Sequence, residues 1–269
     1  MGILNQLMAI DPNHILIGLI IVFFSMEMAF FRPINFKSKL NHLFQSFLFQ
    51  LIAISLGSLL GLMIVTTFDF ISQNGVGLFN WISLPFWLKI LSGLFLIDLA
   101  DYWFHRFDHK IPVLWRFHRV HHSDTAMDAS TAIRTFPTEL IYFTLGELLI
   151  AVIFGLDITS MNIFLLILLP VQFIQHSNLK YPIWIDKTFG WLIMMPNFHK
   201  VHHEQDQFYT DSNYGTLFII WDRLFGTFKI KPIAEINYGL KEFEEKKKQS
   251  FLYLIRSPFI NIKRITDKT

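Results

Sequence analysis

The chain has 269 residues, of which 52% are hydrophobic, 30 are phenylalanine and only 16% are charged. That charged share is well below the roughly 25% of a soluble domain, so the apolar surface needs lipid to cover it. The absence of cysteine excludes disulfides, iron–sulfur clusters, thiolate zinc and a Cys nucleophile, and the net charge of +2 informs only through its distribution.

The opening segment, MGILNQLMAIDPNH, has no basic n-region, so no cleavable signal peptide is expected. Gln6 stands where myristoylation favours Ser or Thr. Five apolar runs follow, at 15–31, 43–68, 85–104, 137–154 and 158–174. A bilayer span takes about 20 apolar residues, with about 17 workable. The pattern therefore predicts an all-α membrane protein with four or five transmembrane helices. The last two runs, parted only by GLD, either cross fully or form a re-entrant hairpin.

Basic residues set the orientation. With the N-terminus outside and all five runs crossing, the inner segments are 32–42, 105–136 and 177–269. They hold 22 of the 23 lysines and arginines, leaving only Lys89 elsewhere. The expected cytosolic side then carries the C-terminus and every clustered histidine.

Three histidine groups lie just past the ends of runs three and five. They are HRFDH (His105, His109), HRVHH (His118, His121, His122) and HKVHH (His199, His202, His203). In a helix, positions i, i+3 and i+4 share one face. Pro112 and Pro196 precede the two pentads, as at the start of short helices. His176 ends the fifth run in QFIQHSN and joins the set. Neutral imidazole ligates iron, zinc, copper or nickel. Nine imidazoles exceed the coordination number of one metal and match two metals with four or five each.

His14 and His42 stand alone near span ends and are expected to be interfacial. Asp98 and Asp101 fall on the stripe leading to His105, where acids inside an apolar run face a protein interior. Asp101, one turn before His105, is expected to orient a ligand ring. Asp98 either does the same for another helix or bonds a neighbouring span. Glu27, Glu139 and Glu147 are expected to lie near water or to pair with Arg32 or Arg134. The charged, apolar-striped tail LKEFEEKKKQSFLYLIRSPFINIKRI either lies along the membrane lipids at the cytosolic interface or packs as a helix on a cytosolic cap.

The stretches DLADYWFHRFDH, LWRFHRVHHSD, FIQHSN, HKVHHEQD and DSNYGTLFIIWDRLFGTF, between residues 98 and 228, resemble the fatty acid hydroxylase superfamily, the sterol desaturase-like membrane di-iron oxygenases. The resemblance implies O2-dependent oxidation of an unactivated C–H bond in a lipid, with the nine histidines as ligands of two iron ions. Zinc can replace iron on overproduction. One departure is RTFP, with Phe136 where family members often carry a histidine.

No G-x-S-x-G elbow, P-loop or G-x-G-x-x-G motif is present, and no electron-carrying domain is visible. Electrons are therefore expected from a separate ferredoxin, cytochrome or reductase. The basic residues follow membrane topology rather than forming an aromatic-lined patch, so no nucleic-acid partner is expected. The chain reads as one domain over 1–269, a helical membrane base with a helical cytosolic cap carrying the dimetal centre. Hydroxylation is the expected reaction, with desaturation at the same centre as the alternative. A haem protein and a metal transporter are the rivals from other classes. Haem needs axial histidines on facing spans, and a transporter sets its ligands near the midplane.

Overall fold

The structure, a computed structural model, describes residues 12–30 and 35–264. The N-terminal segment with Gln6, together with Phe31 and Arg32, lies outside the described residues. Among those residues the elements are helices and short helical turns, with two isolated β-bridges and no strand. The principal helices are α1 (Pro12–Phe30), α2 (Phe36–Asn74), α3 (Phe86–Lys110), α4 (Pro112–His122), α5 (Pro137–Phe154), α6 (Ile158–His176), α7 (Ile183–Phe189) and α8 (Pro196–His202).

Four segments are long and apolar enough to cross a membrane: Asn13–Phe30, Phe36–Trp81, Pro137–Phe154 and Ile158–His176. The chain is an integral membrane protein. The expected third span, 85–104, lies within α3 but is not among the four, because Lys89, Asp98 and Asp101 interrupt its apolar run. Its 25 residues still carry the chain from the α2–α3 connection to the histidine end, and α3 is the inner helix of the bundle, packed against α5 and α6, with Ile97 and Tyr102 fully buried.

Helix α2 is longer than its expected span. Its 39 residues carry no proline, and at 1.5 Å per residue they reach about 58 Å, against a hydrocarbon core of about 30 Å. Asn35 caps its start by accepting from the Ser38 amide at 3.2 Å, and Gly75, in the left-handed region, ends it. One apolar cluster joins Phe68 and Ile71 of α2, Ile97 of α3, Leu148 and Ala151 of α5, and Met161 and Phe164 of α6. Where α3 meets α6, a Cβ at Gly93 would fall 2.6 Å from Ser160 Oγ, so the missing side chain lets the two backbones approach. The GLD link is a tight turn, with Gly155 at φ 66° and Asp157 capping α6 through the Thr159 amide at 2.7 Å.

The tail does not form one helix. It runs as single turns at Lys241–Phe243, Lys246–Gln249, Phe251–Arg256 and Ser257–Phe259. It packs on the histidine-bearing region: Leu240, Phe243 and Leu254 are buried with Phe49, Val120 and Phe136, and Arg119 donates to the carbonyls of Ser257, Ile260 and Ile262. Phe136 thus fills an apolar core against the rings of Phe49, Phe117 and Phe259.

Candidate metal centre

All nine candidate histidines are buried and converge as two groups. His105, His109, His118, His122 and His202 form one; His121, His176, His199 and His203 form the other. Within each group the donor atoms lie within 4.8 Å of one another. The groups do not follow the three sequence boxes. On a helix, positions i and i+4 differ by about 40° while i+3 and i+4 diverge by about 100°. Hence His118 and His122 share a group and His121, beside them, points to the other. In α8, His199 turns with its fourth neighbour His203 toward one group and His202 toward the other.

The spacing within the groups is that of ligands around an ion. His118 Nε2 is 3.1 Å from Nε2 of both His105 and His122. In the second group, His176 Nε2 is 3.1 Å from His121 Nε2 and 3.0 Å from His199 Nε2, and His203 Nε2 is 3.2 Å from His199 Nε2. Two nitrogens at right angles on a metal, each about 2.1 Å away, stand about 3 Å apart. Nε2 of His109 and of His202 is buried with no hydrogen-bond partner, a lone pair otherwise wasted in a dry interior.

Protonation agrees. Burial, reinforced by neighbouring imidazoles, holds His105, His109, His121, His122, His199 and His203 well below the ordinary histidine range. Burial lowers His202 to about 3. Neutral imidazoles are what a metal needs. His118 goes the other way: burial pushes it down, but the nearby Glu139 and Asp108 carboxylates outweigh burial and raise it. The residues present therefore fit a pair of borderline metal ions such as iron or zinc.

Outer nitrogens are held by groups that can only accept. His105 Nδ1 donates to the Tyr214 carbonyl at 2.8 Å, His202 Nδ1 to the Ser212 carbonyl at 2.6 Å, and His118 Nδ1 to Glu139 at 2.7 Å. These bonds fix the proton on Nδ1 and leave Nε2 free to bind. The segment after the last box sets up the two carbonyls. Asp98 accepts from the amides of Leu217 and Phe218 and from the Trp221 indole, tying that segment to α3. Asp222 accepts from the amides of Tyr214 and Gly215 and from Thr227.

The carboxylate expectations need correction. Asp98 bonds no histidine; its oxygens hold the 217–221 segment. Asp101 does not orient His105; its side chain bonds Glu147. Glu139, expected near water or Arg134, is 3% exposed and bonds His118. Its other oxygen accepts from the Phe136 amide at 3.1 Å, the reciprocal bond of a helix start, and an acid three residues into a proline-led helix is the signal that could have marked it. Glu27 is fully buried and pairs with Lys39. His14 is exposed on α1, but His42 sits in a buried polar network with Asp124, Asp128 and Ser130.

An all-helical membrane bundle with nine clustered imidazoles defines a class of integral membrane proteins with histidine clusters able to hold metal ions. The family model described as fatty acid hydroxylase matches residues 90–227, which contain all nine histidines, and the chain belongs to that family. It is 34% identical to an alkylglycerol monooxygenase of Danio rerio over 180 residues, 60% of this chain and 35% of that protein. It is 30% identical to the Homo sapiens alkylglycerol monooxygenase over 185 residues, 65% and 38% of the two chains. The ornithine lipid hydroxylase OlsE of Rhizobium tropici is 29% identical over 155 residues, 55% and 44% of the two. The matched region spans less than half the length of each of these relatives. No solved structure matches the chain.

Proposed function

We propose that this protein is a membrane lipid hydroxylase that uses O2 at two iron ions. His105, His109, His118, His122 and His202 hold one ion; His121, His176, His199 and His203 hold the other. The observation that carries the reading is the convergence of nine buried imidazoles into two ligand-spaced groups. When bound, the iron pair supplies the oxidising power needed to attack an unactivated C–H bond. One oxygen atom enters that bond and the other leaves as water, which consumes two electrons and two protons. A separate ferredoxin, cytochrome or reductase provides the electrons.

The chain's own residues do the remaining work. The carbonyls of Tyr214 and Ser212 and the Glu139 carboxylate hold protons on the outer nitrogens and aim the inner ones. Burial of the whole constellation excludes water that would compete for the metals and the oxidant. The centre lies past the ends of α3 and α6, on the side rich in Lys and Arg, which supports a cytosolic cap within a single domain.

Relatives named for alkylglycerol make a glycerol ether lipid the first substrate to try. Protein in lipid nanodiscs, given iron, a reductase system and alkylglycerol, should deplete that lipid and form an oxidised product only under O2. His121→Ala and His202→Ala, each removing an inner nitrogen, should abolish turnover and lower metal content. Wild-type product formation and metal content in both variants would contradict the assignment.

A further inference from the structure

The two histidine groups are unequally supported from outside. In the five-histidine group, three outer nitrogens donate to Tyr214, Ser212 and Glu139, and a fourth, His109 Nδ1, faces Asp211 at 3.4 Å. In the four-histidine group only His176 has such a partner, the Gln172 carbonyl at 2.8 Å. Nδ1 of His121, of His199 and of His203 is buried with no hydrogen-bond partner. An outer acceptor fixes the tautomer, stops the ring turning and raises the basicity of the inner nitrogen. Its loss typically costs about 10–100-fold in metal affinity. The five-histidine group also has one donor more, and the Glu139 carboxylate is bonded directly to one of its rings.

From this contrast, and resting on the dimetal reading above, we infer that the two metal positions differ in affinity. The five-histidine position holds its ion tightly, and the four-histidine position exchanges its ion readily. Glu139 is a positioning residue for the tight position, acting through His118. Its carboxylate also accepts from the Phe136 amide, a bond that Gln at 139 retains the oxygen to make.

The test is stepwise extraction, read by metal content alone. Folded protein in nanodiscs is loaded with zinc(II), equilibrated with rising dipicolinate and assayed for zinc per chain. The wild type should start at two ions and lose them in two steps of one, at chelator concentrations at least about tenfold apart. Glu139→Gln should move the second step about 10–100-fold toward lower chelator and leave the first in place. A purely structural role for Glu139 would move both steps together. His203→Ala should remove the first step and leave one tightly held ion. Loss of both ions in one step from the wild type, or a shift of the first step alone in Glu139→Gln, would overturn the inference while leaving two metals in place. A wild type that never exceeds one ion would instead overturn the dimetal reading, and the inference with it. The wild-type curve decides the matter even if a variant fails to fold.

Discussion

His42 lies between two carboxylates, 2.9 Å from Asp124 and 3.1 Å from Asp128, with Ser130 Oγ at 3.0 Å. Lys39, Glu27 and Arg134 complete this buried network, which fastens the start of α2 and the end of α1 to the loop after HRVHH. His42→Ala therefore leaves two buried carboxylates short of a partner, and breaking a buried pair costs about 3–5 kcal/mol. A clear drop in the unfolding midpoint in nanodiscs is expected, where the sequence pattern had His42 as an inert interfacial residue. An unchanged midpoint would show the network to be dispensable.

Protonation belongs to the same scale. His202 falls from 6.5 in the unfolded chain to about 3 when folded, and six more ring nitrogens are held well below their ordinary range. Between those values these imidazoles bind more protons in the unfolded chain than in the folded one, so their contribution to stability rises with pH there. Asp124 and Asp128 act in the same direction at lower pH: burial opposes ionisation, but His42 and the nearby cations hold both carboxyls well below the usual range. In metal-free protein these imidazoles therefore withdraw stability as pH falls from 6.5 toward about 3, against Asp108 and Asp222, which burial raises to about 7 and about 6 and which favour the folded state as pH falls. Added metal should shift the onset of that loss to lower pH, because ligation competes with the proton. Acid unfolding that sets in at the same pH with and without metal would contradict this.

Among the elements, α3 joins the membrane bundle to the candidate metal centre. It carries His105 and His109 at one end and, through Asp98, grips the segment whose carbonyls orient His105 and His202. The periodicity of HRVHH and HKVHH marked the histidines that cluster but not their division, since His121 and His202 each turn to the other group from their box neighbours. The supports were not legible. Tyr214 and Ser212 act through backbone carbonyls, which no side-chain pattern reveals, and the partner of Asp98 lies 119 residues away along the chain. Turn contacts are equally hidden. Gly77 has φ 93°, and a Cβ there would lie 2.0 Å from the Gly155 backbone nitrogen, so the α2–α3 and α5–α6 connections meet without side chains. Gly77→Ala should destabilise the bundle by at least about 1–2 kcal/mol from the backbone conformation alone. Thermal unfolding of the variant within error of wild type would contradict that contact.

For the whole molecule, the run of apolar segments announced a membrane protein, but the count of spans depended on what each helix touches. Helix α3 carries three charges in its apolar run and is covered by its neighbours, whereas α2 is mostly lipid-facing and overruns the bilayer. With α3 crossing as the shielded inner helix, the basic residues predict a cytosolic C-terminus: reporter fusions in the 69–84 loop and after Thr269 should give opposite readouts, the second cytosolic. A C-terminal fusion active only outside would contradict it.

The most direct test of the nine-histidine centre is iron K-edge X-ray absorption on protein reconstituted with two iron ions per chain. The account predicts a shell of light atoms at about 2.1 Å dominated by imidazole scattering, from neutral nitrogens alone and with no sulfur. A shell dominated by oxygen, or the rigid scattering of a porphyrin, would contradict it.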